Sequence, residues 1–164
     1  MNSHILNIEN LEYQDWGHGE KYQARIAWVG LVMGSEKLGF NVTELPPGKR
    51  AFPCHSHATN EELFFILAGK GEVRIGEETH SIRQGDFINF PPDLGTPHQI
   101  INSSDSALRY LSVSTMIVPE VSEYPDSGKY GVFAGMPTGK PPNADTVRKI
   151  YRIDSDVDYW DGED

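Results

Sequence analysis

Short runs of apolar and β-branched residues alternate with turn-forming residues through the middle of the chain. Gly, Pro, Asn and Asp separate these runs at intervals of roughly 8–12 residues, a spacing typical of all-β sandwiches and barrels. The runs are "ARIAWVGLVM", "KLGFNVTEL", "EELFFILAG", "GEVRIG", "ETHSIRQGD", "FINF", "HQIIN" and "ALRYLSVSTMIV". The segment "AGKGEVRIGEETHSI" predicts a hairpin with "GEE" at its turn. No stretch shows sustained 3.6-residue periodicity with helix caps, so a parallel α/β sheet is disfavoured.

The pattern changes at both ends of the chain. Residues 1–20 show no regular alternation, which predicts an irregular lead-in to a barrel at residues 21–118. Residues 119–164 begin with a Pro- and Gly-rich stretch, which predicts an extended wrapping segment or a mobile arm. Within this part, "TVRKIYRI" is compatible with a last strand, and "VDYWDGED" forms an acidic tail.

Composition and charge narrow the class of protein. The 164 residues suit one domain with its own core, and 38% of them are hydrophobic. Lys and Arg number 14 against 24 Asp and Glu, so the net charge of −10 disfavours nucleic acid and anionic membranes as partners. The sequence contains no secretory leader pattern and no apolar run near the roughly 20 residues that span a bilayer. The single cysteine, Cys54, excludes an internal disulfide and predicts a cytoplasmic protein.

Histidine and glutamate residues cluster in the stretch "PCHSHATNEELFFILAG". On an extended strand, His55 and His57 point to the same face, because residues i and i+2 share a side of the pleat. Glu61 and Glu62 point to opposite faces, so only one of them can share the side of the histidines. His98 lies much further along the chain, and two facing sheets could bring it opposite the first pair. Such a convergence of nitrogen and oxygen donors is typical of a metal site.

Two motifs in this region resemble those of the cupin superfamily, the double-stranded β-helix barrels. The first, H-x-H-x4-E-x6-G, is met by His55, His57, Glu62 and Gly69. The second, G-x5-P followed by G-x2-H-x3-N, is met by Gly85, Pro91, Gly95, His98 and Asn102. The motifs occur in the family's order with a hairpin between them, and the resemblance covers roughly residues 38–115. Gly48 lies upstream as the opening glycine of the first motif. Relative to the family pattern, the chain has one additional residue between Gly48 and His55 and another in "PPDLG", and both lie in loops.

The resemblance implies an all-β jelly-roll barrel with a metal site. Carried over residue by residue, the ligand set of the family is His55, His57, Glu62 and His98. Imidazole and carboxylate ligands suit one divalent transition metal ion per chain, namely Fe, Mn, Ni, Zn or Cu. On an octahedral ion, this set leaves up to two positions for water or substrate.

Two classes of function fit such a site. The first is a metal-dependent enzyme that acts on a small organic molecule, as a dioxygenase, isomerase, lyase or hydrolase. A dioxygenase would need a redox-active ion. The second is a non-catalytic ligand-binding or sensing protein, in which the metal orients a small-molecule ligand or is structural. The resemblance also predicts a homodimer, because single-domain cupins commonly pair through sheet edges and terminal arms.

Pleat alternation predicts what surrounds the metal. If Glu62 points inward, so do Phe64 and Ile66, and His98 likewise brings Ile100 and Asn102 inward. The cavity would then be mostly apolar with a metal at one end. This arrangement suits a small organic molecule that chelates the ion through oxygen.

The remaining chemically active side chains carry weaker signals. Lys49 and Arg50 precede the metal loop, where they could meet an anionic substrate or simply follow an exposed "PPG" turn. Tyr110 could supply a cavity hydroxyl or be an ordinary strand residue. Cys54 is predicted to be a small buried hydrophobe. The histidines that fit no ligand spacing are predicted to lie at the surface: His4, His18 and His80.

Overall fold

The computed structural model describes residues 4–135 and 144–163 of the chain. Its strands are β1 (Gln14–His18), β2 (Tyr22–Ala27), β3 (Leu38–Leu45), β4 (His55–His57), β5 (Glu62–Ala68), β6 (Lys70–Ile75), β7 (Glu78–Arg83), β8 (Phe87–Phe90), β9 (Asp93–Ile101), β10 (Leu108–Thr115), β11 (Glu120–Tyr124), β12 (Lys129–Ala134) and β13 (Val147–Arg152). The helical segments are α1 (Val29–Met33) and short 3-10 turns at Ile8–Asn10, Pro125–Ser127 and Ile153–Ser155. No helix within the described ranges is long and apolar enough to cross a membrane.

The strands form two antiparallel sheets. One has the order β1-β2-β3-β10-β5-β8, and the other has the order β13-β12-β11-β4-β9-β6-β7. Consecutive strands therefore often lie in different sheets, as β4 and β5 do, and the chain crosses repeatedly between the two layers. This architecture confirms the predicted all-β, double-stranded β-helix barrel.

The hydrophobic core fills the space between the sheets. On β5, Phe64 and Ile66 are buried, with exposed fractions of 7% and 0%, whereas the alternate residues Leu63 and Phe65 are only half-buried. The same alternation on the other strands gives one continuous cluster: Ala24, Ile26, Leu45, Ala51, Phe64, Ile66, Val73, Ile82, Phe90, Ile100, Leu108 and Tyr110. The inward direction predicted for Phe64, Ile66 and Ile100 is confirmed.

The glycine that closes the first motif has a steric role. Gly69 follows β5 with φ of +84°, a left-handed conformation that side chains other than hydrogen disfavour. A Cβ at this position would lie 2.4 Å from the carbonyl oxygen of Ala107. Only glycine therefore lets the chain turn from β5 into β6 against this neighbouring segment.

The N-terminal part is more regular than its sequence indicates. Residues 14–18, in the segment predicted as an irregular lead-in, form β1 and pair with β2. All the side chains of β1 are exposed, so its sequence has no alternation of buried and exposed positions that would predict a strand. The strand is fixed by its backbone pairing and by Trp16, whose Nε1 donates to the carbonyl of Ala51 at 3.1 Å.

The predicted strand "ARIAWVGLVM" is divided between two elements. Its first part belongs to β2, which ends at Ala27, and residues 29–33 form α1. Gly34 ends this helix in the left-handed conformation, and its N–H donates to the carbonyl of Leu31. A single helical turn of apolar residues cannot be told from a strand by periodicity, which explains the difference.

The C-terminal part extends one sheet beyond the barrel. The segment predicted to wrap or to form an arm contains β11, β12 and β13, and residues 136–143 of it lie outside the described part. β11 pairs with the short strand β4, with Ser122 opposite His57. β13 coincides with the predicted last strand, and all its side chains are exposed.

Candidate metal centre

The four candidate ligands come from both sheets. His55 and His57 lie on β4, and His98 lies on the adjacent strand β9, where it pairs directly with His55. Glu62 begins β5 in the opposite sheet. The two facing layers therefore bring the glutamate across to the histidines.

The ligand atoms converge on one carboxylate oxygen. Oε2 of Glu62 lies 2.9 Å from Nε2 of His98 and 3.5 Å from Nε2 of His57. The same oxygen is 3.9 Å from Nε2 of His55. Ligand atoms of His55, Glu62 and His98 all lie within 4.8 Å of one another. Two ligands at right angles on a metal ion, each bound at about 2.1 Å, are about 3.0 Å apart, so these separations suit a shared ion.

The ring nitrogens also have the orientation that a metal requires. Nδ1 of His55 lies 2.7 Å from the carbonyl oxygen of Pro53, and when this nitrogen donates, the lone pair of Nε2 faces Glu62. Nε2 of His57 is buried without a hydrogen-bond partner among the described residues. A buried nitrogen that faces a carboxylate and lacks a partner fits an ion between the two.

The environment gives the histidines different pKa values. Burial lowers the pKa of His55 to about 4. Burial also opposes the charged form of His57, but the nearby carboxylates of Glu120 and Glu62 outweigh it and raise its pKa to about 9. Burial opposes ionisation of Glu62 as well, yet the nearby imidazoles of His57 and His98 hold the pKa of its carboxyl well below the usual range. The Glu62 carboxyl is therefore ionised at neutral pH.

Glu120 contacts the side of His57 that points away from Glu62, and it was not identified as a site residue from the sequence. Its carboxylate, only 5% exposed, lies 3.8 Å from Nδ1 of His57. It accepts hydrogen bonds from the backbone N–H groups of Ala58, Thr59 and Asn60 and from the side chain of Asn60. These contacts link the loop after β4 to β11 and hold the negative charge beside His57.

Ser122 and Tyr124 on β11 also contact the histidines. Oγ of Ser122 lies 3.3 Å from Nδ1 of His57. The ring of Tyr124 stacks on that of His55, with centroids 6.0 Å apart and planes at 24°. On the other side of the site, Phe90 stacks on His98 with centroids 3.8 Å apart. The only sequence signal for the β11 residues is their i, i+2 spacing, which no motif marks.

A cavity of about 450 Å³ opens above the candidate ligands. His55, His57 and Glu62 form part of its floor. Apolar side chains form most of its walls: Trp28, Leu31, Leu38, Phe40, Met116, Ile117, Val118 and Phe133. Polar groups line the rest: Ser35, Asn41, Asn60, Ser112, Ser114, Thr115, Glu120, Ser122 and Tyr124. A more open groove of about 800 Å³ beside β6 and β7 contains none of the candidate ligands.

The walls of the cavity differ from those that alternation alone predicts. Phe64, Ile66 and Ile100 point inward, but they fill the core below the metal centre and do not line the cavity. Asn102 is fully buried, and its Nδ2 donates to the carbonyls of Leu45 and Ser106. Alternation predicts the side of the sheet correctly, but it cannot show how much of the barrel the side chains fill.

The structure decides several open alternatives. Neither Lys49 nor Arg50 lines the cavity, and Nζ of Lys49 donates instead to the carbonyl of Glu20 at 2.6 Å. Tyr110 is 2% exposed and packs in the core, so it is a strand residue and not a cavity hydroxyl. Cys54 is a buried hydrophobe, and burial raises the pKa of its thiol. The histidines outside the motifs are exposed, as predicted: His4, His18 and His80.

Comparison with known proteins supports the resemblance found in the motifs. Residues 41–114 match a family model described as the cupin domain. An uncharacterised protein of Methanocaldococcus jannaschii is 36% identical over 70 residues, which make up 43% of this chain and 54% of that protein. The chain thus spans about half the length of this relative.

Two further likenesses cover more of the chain. The oxalate-binding protein of Thermotoga maritima is 26% identical over 117 residues, covering 71% of this chain and 93% of that protein. The crystal structure of a sugar phosphate isomerase from Silicibacter pomeroyi superimposes with a TM-score of 0.76 at 20% identity. That likeness covers 96% of this chain and 98% of the other, so it includes the C-terminal strands.

Proposed function

We propose that this protein, which belongs to the cupin superfamily, is a metal-dependent enzyme acting on a small organic molecule. The observation that carries the proposal is the convergence of imidazole nitrogens on Oε2 of Glu62 at the floor of the cavity. His55, His57, Glu62 and His98 are the proposed ligands of one divalent transition metal ion. An ion held there would supply Lewis acidity to a substrate oxygen, and a redox-active ion would also permit dioxygenase chemistry.

The surrounding residues prepare the ligands. The carbonyl of Pro53 fixes which nitrogen of His55 faces the cavity. Ser122 and Glu120 do the same for His57 through its Nδ1. Such outer contacts orient the rings before an ion arrives, which raises metal affinity.

The cavity determines the kind of substrate. Its volume of about 450 Å³ is in the range of small-molecule sites. The apolar wall near Leu31, Phe40 and Met116 excludes water from the carbon part of a substrate. Hydroxyl groups of Ser112 and Ser114 also line the cavity and can hydrogen-bond to substrate oxygens.

Lewis-acid chemistry, as in an isomerase or lyase, is the form of the proposal that we favour. The Silicibacter pomeroyi neighbour, which aligns with nearly the whole chain, is named a sugar phosphate isomerase. Such chemistry needs only a polarising ion and groups that hold the substrate, and both are provided for in this cavity.

The second candidate is a non-catalytic ligand-binding function. The Thermotoga maritima relative, whose alignment covers 93% of its own length, is named an oxalate-binding protein. In that case the ion would bind a small ligand through its open positions, without turnover.

Metal reconstitution distinguishes these functions. Protein purified without chelators would be analysed by mass spectrometry, stripped, and reloaded separately with Fe, Mn, Ni, Zn or Cu. Sugar phosphates would then be followed by NMR for isomerisation, and oxygen uptake would be measured in parallel. Turnover with zinc supports the Lewis-acid proposal and excludes a dioxygenase, whereas binding without turnover for every ion supports the second candidate. Absence of any bound metal would overturn both.

We also propose a cytoplasmic homodimer. β13 is the edge of its sheet, and Ile150 and Tyr151 on it are each 50% exposed. Tyr159 and Trp160 in the tail are 84% and 70% exposed and contact each other. An exposed edge strand with unpaired backbone groups favours pairing with another chain. Light scattering should return about twice the chain mass of 18.3 kDa, and a monomer mass would contradict the dimer.

A further inference from the structure

Three cationic side chains lie on the face of the C-terminal strands that also carries Tyr124 and Phe133. Opposite residues in an antiparallel pair project to the same side of the sheet. Tyr124 on β11 lies opposite Lys129, which in turn lies opposite Arg152. Four residues along β12 from Lys129, Phe133 lies opposite Arg148, so Arg148 and Arg152 are about 13 Å apart along β13. Tyr124 and Phe133 line the cavity, and the three cations lie outside its lining, where the same face of the sheet continues.

Independent contacts agree with this placement. Nζ of Lys129 lies 5.8 Å from the ring centroid of Tyr124. Burial raises the pKa of the Tyr124 hydroxyl, and the nearby charge of Arg148 acts against that rise. Arg148 therefore lies close to the group that stacks on His55.

None of these three cations is paired with a carboxylate among the described residues, and Lys129 contacts the ring of Tyr124. Lys129, Arg148 and Arg152 form no ion pair and no side-chain hydrogen bond within the described ranges. Elsewhere in the chain, Arg25 pairs with Glu44, and Arg74 is bound by both carboxylate oxygens of Asp126. Unpaired cations gathered on one face are unexpected in a chain of net charge −10.

The two carboxylates that line the cavity are already engaged. Glu120 accepts hydrogen bonds from Ala58 and Asn60, and Glu62 faces the imidazoles. β13 is three strands away from β4, which carries His55 and His57, and this separation corresponds to about 14 Å. The long side chain of Arg148 can cover part of that distance, so a smaller molecule with an anionic group at its far end can reach from the ligands to the positive charge.

We infer that Arg148, assisted by Lys129 and Arg152, binds the phosphate group of a small organic phosphate whose other end reaches the metal centre. The inference rests on the proposed function and specifies its substrate class. Several cations neutralise a phosphate dianion, and the arginine fork matches its oxygens in geometry. The hydroxyl of Tyr124 supplies a further donor between the two ends.

The test uses calorimetry with ribose 5-phosphate, ribose and inorganic phosphate on metal-loaded and metal-free protein. Wild-type protein should bind ribose 5-phosphate at least about tenfold more tightly than ribose. Arg148→Ala should lower the affinity for ribose 5-phosphate and for inorganic phosphate about tenfold, and Arg148→Lys should restore part of it. Lys149→Ala is the matched control, because this neighbouring cation lies on the other face of β13, and it should change affinity less than about twofold.

Equal affinity for ribose and ribose 5-phosphate would overturn the inference. Equal losses of affinity in Arg148→Ala and Lys149→Ala would also overturn it. Metal content, measured on the same samples, should stay at the wild-type value in Arg148→Ala. A protein that takes up no metal would contradict the proposed function, whereas the phosphate arm on metal-free protein tests the inference by itself.

Discussion

The barrel strands that carry the candidate histidine ligands and the C-terminal strands that extend the same sheet are stabilised in different ways. On β9, His98 is 2% exposed and lies between the rings of Phe90 and Phe64. On β13, all the side chains are exposed, and the strand pairs on one side only. Packing therefore fixes the ligands, whereas backbone pairing alone positions the outer cations. We expect substitutions in the barrel to abolish metal binding or folding, and those on β13 to adjust affinity.

The largest effect is expected at the adjacent glutamates before β5. Glu62→Ala should lower metal affinity by more than about 100-fold, because loss of a direct ligand should exceed the about 10–100-fold typical of outer-shell partners. Glu61 is exposed and accepts a hydrogen bond from Asn89, so Glu61→Ala should leave metal content near that of wild type. Mass spectrometry of both variants gives the stoichiometry. Equal losses, or a loss in Glu61→Ala alone, would refute the strand register and the ligand assignment together.

The pH dependence of metal binding should separate the two histidines of β4. His57, next to Glu120 of the C-terminal strands, has a pKa of about 9, whereas His55 has a pKa of about 4. At neutral pH, metal must therefore displace a proton from His57 but none from His55. Because protons and metal compete, affinity should rise with pH by about tenfold per unit, or about 100-fold from pH 6 to pH 8.

Calorimetry in buffers of different ionisation enthalpy would report the protons released on metal binding. Release of about one proton per ion from His57 at pH 7 is the expected result. A metal affinity that does not change between pH 6 and pH 8 would show that His57 is already neutral. Glu120 on β11 would then not raise the pKa of His57.

Glu120→Ala tests whether β11 contributes to the stability of the barrel and to metal affinity. The substitution leaves the N–H groups of Thr59 and Asn60 without an acceptor, whereas that of Ala58 keeps its hydrogen bond to the carbonyl of Val121. The loss should cost about 3 kcal/mol in the free energy of unfolding. Metal affinity should fall about 10–100-fold. Urea denaturation and metal titration measure these effects. Glu123→Ala on the other face of β11 is the control, expected within about ±0.5 kcal/mol, and similar losses in both variants would argue against a specific role for Glu120.

Two isoleucines, one in the barrel and one on β13, compare the stability of the two regions, and the β13 variant should show the smallest loss. Ile100 on β9 is 5% exposed, so Ile100→Ala should lower the free energy of unfolding by about 3 kcal/mol. Ile150 on β13 is 50% exposed, and Ile150→Ala should cost less than about 1 kcal/mol. Denaturation at several protein concentrations would check both values. A large, concentration-dependent loss in Ile150→Ala would instead indicate that β13 lies in a subunit interface.

The candidate ligands could be selected from the sequence because their signals are local or carried by the motifs. His55 and His57 are one residue apart, and the spacing to Gly69 selects Glu62. In the structure, Glu62 points inward and Glu61 outward, as alternation and spacing together predict.

The supporting residues were not predictable for a physical reason. Ser122 reaches His57 through strand pairing across 65 positions of sequence, and a Pro- and Gly-rich composition hides the strand that carries it. β1 has no buried side to produce a pattern, and α1 is too short to show a helical period. The sequence thus indicates the chemistry of the site, whereas the residues around it are set by the pairing of strands that are far apart in sequence.

The short strand β4 has a consequence for how metal would enter and leave. It has three residues, and β11 contacts it through two register pairs, Ser122 with His57 and Glu123 with Ser56. Such a small ladder should open locally far more often than the whole barrel unfolds. We therefore expect ion exchange to follow detachment of β11, at a rate set by this opening. The amide of Ala58, which donates to the carbonyl of Val121, would report the same event through its hydrogen exchange.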